Sequence, residues 1–567
     1  MMAKAKMKTG MIPFELLAPY NENVRVMGSW DDWQETPMTR DERGVWCVEV
    51  PLADGEYQYK FKLISRSFFA NGKEVTVADP KSYQFTLDSH ENSIVRVLNG
   101  KRIVHNYQWK HDAVPLPSNH ELIIYELHVG DFRGGVGDDS DQPGTFKRLI
   151  ERLDYLAELG INAVELMPVN EFPGNHSWGY SQRSIYAVEN SYGTPDELCE
   201  LVDECHARGI RVLHDTVYNH MEADAPLGQI DYSYWFYEDN PDEPSLDFGP
   251  KFNYEHFDGN LKLWPARQHV IGALDHWVQT YHIDGIRFDC TRAIRYFELL
   301  QWFYDEAHSR ADFKPFYTIA EHIPQDGAIA GPNGPMDAAW HDNFYRQLEA
   351  TTLGVEAHGR QPYNTTELLR LMDSTNDGFV GPYHTIHYLN NHDEPRIMLR
   401  LGDTANTFDA AAFRRNKLAA SLLLTSPGAT MLWMGQEFGQ ATPKTLDPQP
   451  LHWALLQNEG NRGLFEHYKH LIRVRKANPA LHSTQYAPVA DMPDRAILAY
   501  RRWNDQGNVV LVVANLKDQY AGEFTLGNAG LEDGTYHEAI FNYEVQISGG
   551  VLTDTLGESE VKIYIKR

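Results

Sequence analysis

Cysteine is scarce: Cys47, Cys199, Cys205 and Cys290 are the only four in 567 residues. They are too few to staple a chain of this length, and none of their spacings suits a zinc site. A reducing compartment fits that scarcity. Positive charge is in deficit as well, with 51 Lys+Arg against 79 Asp+Glu and a formal net charge of −28. Such a balance repels nucleic acid and anionic membrane beyond local patches, so neither is expected as a partner. There is no low-complexity tract, internal repeat or glycine-rich nucleotide loop. The longest uncharged stretch, Leu418 to Gln436, is interrupted by Ser426-Pro427-Gly428. It reads as a helix end and a buried strand rather than a membrane span. The basic start, Met1 to Lys8, runs into Met11-Ile12-Pro13-Phe14-Glu15 without the apolar segment of a secretory signal, which points to the cytoplasm.

What is present is ordinary for a folded chain: 42% hydrophobic, 12% aromatic and 23% charged residues, enough for a sizeable core and outside the disordered range. The length calls for one large domain flanked by smaller ones. Between residues 20 and about 100, short alternating runs such as Val24–Gly28, Val45–Val50 and Tyr57–Lys62 predict a small β-sandwich. From residue 123 to about 435, apolar runs such as Ala163–Met167 and Ile210–Leu213 alternate with helical stretches at 145–159 and 195–208. Roughly eight β-α units over some 350 residues have the size of a (β/α)8 barrel. A polar, aromatic insertion at about 216–262 follows the third candidate strand, and a loop of that length is more often functional than filler. After a helical stretch at 464–477, alternating runs at 496–500 and 509–513 flank the turn Asp505-Gln506-Gly507-Asn508 and predict a second sandwich. The expected fold is multidomain: an N-terminal β-sandwich over 1–105, a (β/α)8 TIM barrel over 106–480 and a C-terminal β-sandwich over 481–567.

In a parallel barrel the working groups stand at the C-terminal ends of strands, so polar residues that follow apolar runs are the candidates. Four segments qualify: His214-Asp215-Thr216-Val217-Tyr218-Asn219-His220, Gly285-Ile286-Arg287-Phe288-Asp289-Cys290, Thr318-Ile319-Ala320-Glu321-His322 and Asn390-Asn391-His392-Asp393-Glu394. Strand alternation puts Arg287 and Asp289 on one face and Phe288 on the other. A guanidinium beside Asp289 lowers its pKa and keeps it ionised, as a nucleophile requires. Standing alone, an Arg-x-Asp is more often a structural ion pair, and the first segment could equally be a capped turn.

In chain order the four segments resemble the signature of the α-amylase superfamily of glycoside hydrolases. The likeness extends to Tyr125-Glu126-Leu127-His128-Val129-Gly130, Glu165-Leu166-Met167-Pro168-Val169, Trp178-Gly179-Tyr180, Tyr192-Gly193-Thr194 and Met434-Gly435-Gln436-Glu437-Phe438-Gly439. It implies Asp289 as nucleophile, Glu321 as general acid/base and Asp393 as the third carboxylate, which holds sugar hydroxyls. Glu321, near two other carboxylates, should have a raised pKa. The resemblance further implies a substrate-binding set of Tyr180 beneath the sugar, His220 and His392 on its hydroxyls, and Arg287, with Asp215 and Asn219 as supports. Gly28-Ser29-Trp30-Asp31-Asp32-Trp33 looks like the immunoglobulin-like N-terminal sandwich of branching enzymes, isoamylases and trehalohydrolases. Its tryptophans suit either a core or a sugar platform, the platform being favoured for Trp33 and the core for Trp46.

Within the superfamily, Leu451-His452-Trp453-Ala454-Leu455-Leu456 is similar to the barrel exit of branching enzymes and trehalohydrolases, and Asp337 to Phe344 to trehalohydrolases. Asp215-Thr216-Val217-Tyr218-Asn219-His220 departs from bacterial branching enzymes, and His322 stands where both subfamilies more often carry an acid. The expected activity is retaining cleavage of α-1,4-glucosidic bonds, with branching ahead of amylase-type or trehalose-forming hydrolysis, and with a non-catalytic glucan-binding descendant as a distant alternative. The expected partners are glycogen, amylose or maltooligosaccharides, and the expected state is a monomer or weak homodimer. No cofactor or metal is expected as a requirement; calcium, which amylases often hold through the first segment, would use Asn219.

Overall fold

The computed structural model describes residues 8–88, 91–132, 143–241, 244–311, 314–527 and 531–566. The basic residues that open the chain, up to position 7, lie outside the described residues.

The N-terminal runs alternate as strands that present one face to a core. Ile12, Phe14 and Leu16 of Thr9–Leu17 are buried while their neighbours are exposed, and Val24, Val26, Tyr59, Phe61 and Leu63 complete the same core. Thr9–Leu17 pairs with Val45–Ala53, which pairs with Thr39–Arg40. Opposite stands a sheet built on Glu22–Gly28, Gly55–Ile64 and Ser93–Leu98. Packing sets Trp30 and Trp46 against the core. Trp30 lies 5.1 Å from the Phe14 ring and 6.5 Å from Tyr57, at the edge of the core. A Cβ on Gly28 would stand 2.2 Å from the Trp30 ring, so only glycine fits beneath it. Trp46 donates its indole N–H to Ala18 O at 2.9 Å. Trp33 has a positive φ of 62° in the turn closed by its N–H to Gly28 O, and it meets no aromatic ring among the described residues. Trp30→Ala is therefore expected to cost on the order of 3 kcal/mol of stability, and Trp33→Ala well under 1 kcal/mol, read from paired denaturant curves.

The barrel strands are short and buried on both faces, which is why they read as continuous apolar runs. They are β1 (Ile123–Leu127), β2 (Ala163–Leu166), β3 (Arg211–Thr216), β4 (Gly285–Phe288), β5 (Tyr317–Ala320), β6 (Ala338–Trp340), β7 (Thr385–Tyr388) and β8 (Ala429–Trp433). Each pairs in parallel with the next, and β8 returns to β1 to close the ring. Ile124, Leu213, Ile319, Trp340, Ile386 and Met431 fill the interior, whereas Ile286 and Phe288 pack outward against the helices.

The helix expected over 145–159 is two pieces, Phe146–Ile150 and Leu153–Leu159. They separate where Arg152 leaves the α region (φ −108°, ψ 1°), with its guanidinium 4.5 Å over the Trp453 ring. The helix expected from 464 begins earlier, at Glu459, and Asn461 within its first turn donates to Phe438 O at 2.7 Å. The insertion after β3 carries the helix Pro226–Trp235, kinked at Asp231, and joins the barrel through the helix Pro265–Tyr281. The C-terminal sheet has six strands, including the hairpin Ile497–Trp503 and Val509–Asn515, and faces the pair Gly522–Leu526 and Leu552–Leu556. No helix of the described residues is long and apolar enough to cross a membrane.

Candidate active site

All four segments converge at the C-terminal ends of β3, β4, β5 and β7. Arg287 is the centre, and it is fully buried. Its Nη1 donates to Asp215 Oδ1 at 2.7 Å and to Asp289 Oδ1 at 2.9 Å, and its Nη2 lies 2.9 Å from Glu321 Oε2. Parallel pairing places these groups together: Asp215 is the register partner of Arg287, and Glu321 N–H continues the ladder to Phe288 O at 3.1 Å. Glu321 Oε2 also accepts the Cys290 N–H at 2.9 Å. The guanidinium stacks 4.6 Å over the Trp340 ring inside the barrel.

Sharing one cation among three carboxylates changes the electrostatics expected for Asp289. Burial pushes its carboxyl up to about 6, and the pull of Arg287 only partly offsets this. The expectation of a lowered pKa is corrected: desolvation exceeds the benefit of a guanidinium that Asp215 and Glu321 also use. Glu321 is raised, as anticipated, to about 6; burial is the main cause, with Asp289 and Asp393 adding to it. Asp393 is the most open of the three, its side chain 47% exposed. Burial acts upward on it too, but His392, Lys444 and Arg287 together hold it below the ordinary carboxylate range.

The cleft above these groups has a volume of about 320 Å³, and Tyr180, His220, Asp289, Glu321, His392 and Asp393 line it. The Tyr180 hydroxyl donates to Asp215 Oδ2 at 2.6 Å, and its ring stacks on His392 with centroids 4.9 Å apart. His220 Nε2 lies 2.9 Å from Tyr180 O. Arg287, Asp215 and Asn219 do not reach this surface: they are 0%, 1% and 1% exposed and stand behind the wall. Arg287, grouped with the sugar-binding residues on sequence, is thus a holder of carboxylates, as Asp215 and Asn219 are holders of their neighbours. Asn219 Nδ2 lies 3.3 Å from His220 Nδ1, and its main-chain carbonyl accepts the Phe252 N–H at 3.0 Å.

Several neighbours of the site had no role assigned on sequence, although Glu126, Glu165 and Trp178 stand in segments that carry the family likeness. Glu126 on β1, 1% exposed, accepts the His392 N–H at 3.1 Å and lies 2.7 Å from its Nδ1, which orients the imidazole. Burial pushes Glu126 up to about 8. Its register partner on β2, Glu165, is wholly buried with neither oxygen hydrogen-bonded, and burial holds it well above the usual carboxylate range. A glutamate inside a barrel strand was the available signal for both. Trp178, Phe248 and Leu446 form the apolar wall of the cleft, and Lys444 reaches Asp393 O. Phe248 lies in the long insertion; Lys444 and Leu446 lie in a loop with no local signal. Asp337, by contrast, precedes β6 at the N-terminal end of the barrel, where it accepts Thr318 N–H at 2.9 Å and has no part in the cleft.

Asn219, the residue calcium would use, turns its Nδ2 to His220 while its buried Oδ1 has no hydrogen-bond partner, and no three His, Cys, Asp or Glu groups assemble as ligands among the described residues. Incubation with EDTA is expected to move Tm by less than about 2 °C, read by differential scanning fluorimetry.

A closed parallel barrel that gathers four carboxylates and one arginine at its strand ends, beneath an aromatic cleft, defines the site of a carbohydrate-active hydrolase or transferase. The α-amylase catalytic-domain family matches residues 128–454, and carbohydrate-binding module 48, the isoamylase N-terminal domain, matches residues 3–82. The chain belongs to the α-amylase family and is a glucan-active enzyme of it. Similar curated proteins include a malto-oligosyltrehalose trehalohydrolase of Saccharolobus solfataricus, 27% identical over 76% of this chain and 74% of that one. A 1,4-alpha-glucan branching enzyme of Albidiferax ferrireducens is 28% identical over 91% and 85%. Among solved structures, a type I pullulanase of Bacillus subtilis superposes with a TM-score of 0.81 over 99% of this chain and 85% of its own, at 20% identity, a likeness of fold.

Proposed function

We propose that this protein cleaves α-1,4-glucosidic bonds by a retaining double displacement and transfers the released glucan to a sugar 6-hydroxyl, a 1,4-α-glucan branching reaction in cytoplasmic glycogen or starch metabolism. The observation that carries the proposal is the placement of Asp289 and Glu321 on adjacent strands against two nitrogens of one guanidinium. A covalent mechanism needs its two carboxyl groups close, roughly 5–5.5 Å apart. Asp289 attacks the anomeric carbon while Glu321 protonates the departing oxygen. The glycosyl ester on Asp289 is then displaced by the acceptor hydroxyl, whose proton passes to Glu321. Asp393, Tyr180, His220 and His392 hold the reacting sugar, with Glu126 fixing His392 from behind.

The apolar wall favours a sugar acceptor over water. Phe248 is 48% and Leu446 70% exposed beside the carboxylates, surfaces on which a second pyranose stacks and from which water gains little. The trehalohydrolase relatives support hydrolysis of maltooligosaccharides as the second reading. Incubation with amylose separates the two: branching lowers the iodine absorbance maximum without new reducing ends, whereas hydrolysis raises reducing ends in parallel. An equal rise of reducing ends would replace the proposal with the second reading.

A further inference from the structure

The loop that follows β8 crosses to the end of β7 and sets one cation against the most open carboxylate of the cleft. Residues 441–449 form neither helix nor strand, yet both feet of the loop are tied to the barrel. At the first foot Thr442 Oγ1 accepts from Arg396 Nε at 3.1 Å and from Gln440 Nε2 at 3.2 Å. At the second, Gln449 N–H donates to Asp131 Oδ1 at 3.0 Å and Leu451 N–H to Asp131 O at 2.9 Å. Between the feet the loop presents Leu446 to the cleft and Lys444 to Asp393. A loop anchored in this way carries its side chains into place before any ligand arrives, which lowers the entropy cost of binding.

Lys444 meets Asp393 at two points. Its ammonium donates to the main-chain O of Asp393 and lies 3.4 Å from Oδ1, while His392 Nε2 lies 3.4 Å from Oδ2. Each carboxylate oxygen therefore faces its own basic group, and the main-chain contact fixes where the cation stands. Without such a clamp a carboxylate with 47% of its side chain exposed would keep its rotamer freedom until a sugar arrived, and the sugar would bind against that lost entropy. Burial pushes the Asp393 carboxyl up, and His392, Lys444 and Arg287 together more than offset it, so the group is ionised as well as oriented. The same ammonium stands 5.8 Å from the centre of the Trp178 ring, which lines the cleft, so one side chain joins the carboxylate to the aromatic wall.

We propose that Lys444 is a positioning residue, which holds Asp393 in the orientation that receives the sugar hydroxyls and so acts on substrate through Asp393. It rests on the reading of Asp393 given above as a holder of the reacting sugar. Lys444→Met keeps an apolar stem beside Trp178 and removes the charge and the donors. It is expected to raise KM for amylose about fivefold or more while kcat stays within about twofold and Tm within about 1 °C, since orientation lost before binding is restored on binding. A loop that had merely come loose would lower kcat and Tm together. The second readout is calorimetric titration of maltotetraose into variants made on Asp289→Asn. There Lys444→Met is expected to weaken binding about fivefold on its own but less than twofold when added to Asp393→Ala, which leaves it no carboxylate to position. An unchanged KM in the folded Lys444→Met variant overturns the proposal. So does the same loss with and without Asp393, because Lys444 would then act on the sugar directly. If Lys444→Met melts early, Lys444→Gln, uncharged and one atom too short to keep both contacts, decides by the same readouts. The titration is indifferent to which acceptor takes the glucan. Reducing ends that rise on amylose would replace branching by hydrolysis and leave Lys444 in its role; a branching wild type whose KM ignores Lys444 would do the reverse.

Discussion

Asp289→Asn is expected to lower turnover of amylose on the order of 10⁴-fold or more while leaving affinity for a maltooligosaccharide within about threefold. The amide has the shape of the carboxylate and its oxygen still accepts from Arg287 Nη1, so the wall of the cleft survives. What disappears is the group that bonds to the anomeric carbon. Stopped reducing-end assays and isothermal titration of the same preparation check the two halves. Retention of more than a few per cent of activity would move the nucleophile elsewhere, and Asp393, the one carboxylate held below its ordinary pKa, would be the next to test.

The second large effect depends on leaving group. Glu321→Gln is expected to slow cleavage of amylose by roughly 10²–10⁴-fold and the first-turnover release of fluoride from an α-maltosyl fluoride by less than about tenfold, because fluoride departs without a proton. Equal loss on both donors would remove Glu321 from the acid role. The pH profile sharpens the test. Asp289 must be ionised and Glu321 protonated, and burial brings both to about 6. Activity falls as pH drops below that value because Asp289 takes up a proton, and falls as pH rises above it because Glu321 loses one. The wild-type kcat/KM is therefore expected to be bell-shaped and centred near pH 6, its limbs belonging to the pair that shares Arg287. In Glu321→Gln the alkaline limb is expected to vanish with the fluoride donor and the acidic limb to remain.

The sequence by itself determined the barrel, the two flanking β units and the groups that meet at the strand ends. Barrel topology makes these local facts: a residue that ends an apolar run must stand at one rim, so Asp215, Asp289, Glu321 and Asp393 converge whatever lies between them in the chain. Only the tertiary structure decided how the charges share Arg287. The alternation of Arg287 and Asp289 predicted one pair, but β3 and β5 bring Asp215 and Glu321 to the same guanidinium and burial then outweighs it. The orienting contact of Glu126 with His392 joins strands at opposite ends of the barrel sequence, and no spacing announces it. Trp30 and Trp33 are three positions apart in one turn, yet a positive φ at Trp33 turns one from the core and leaves the other on Phe14. The clamp of Lys444 on Asp393 likewise exists only because the loop after β8 meets the end of β7, since side-chain period along either segment carries no information about what the other segment will bring.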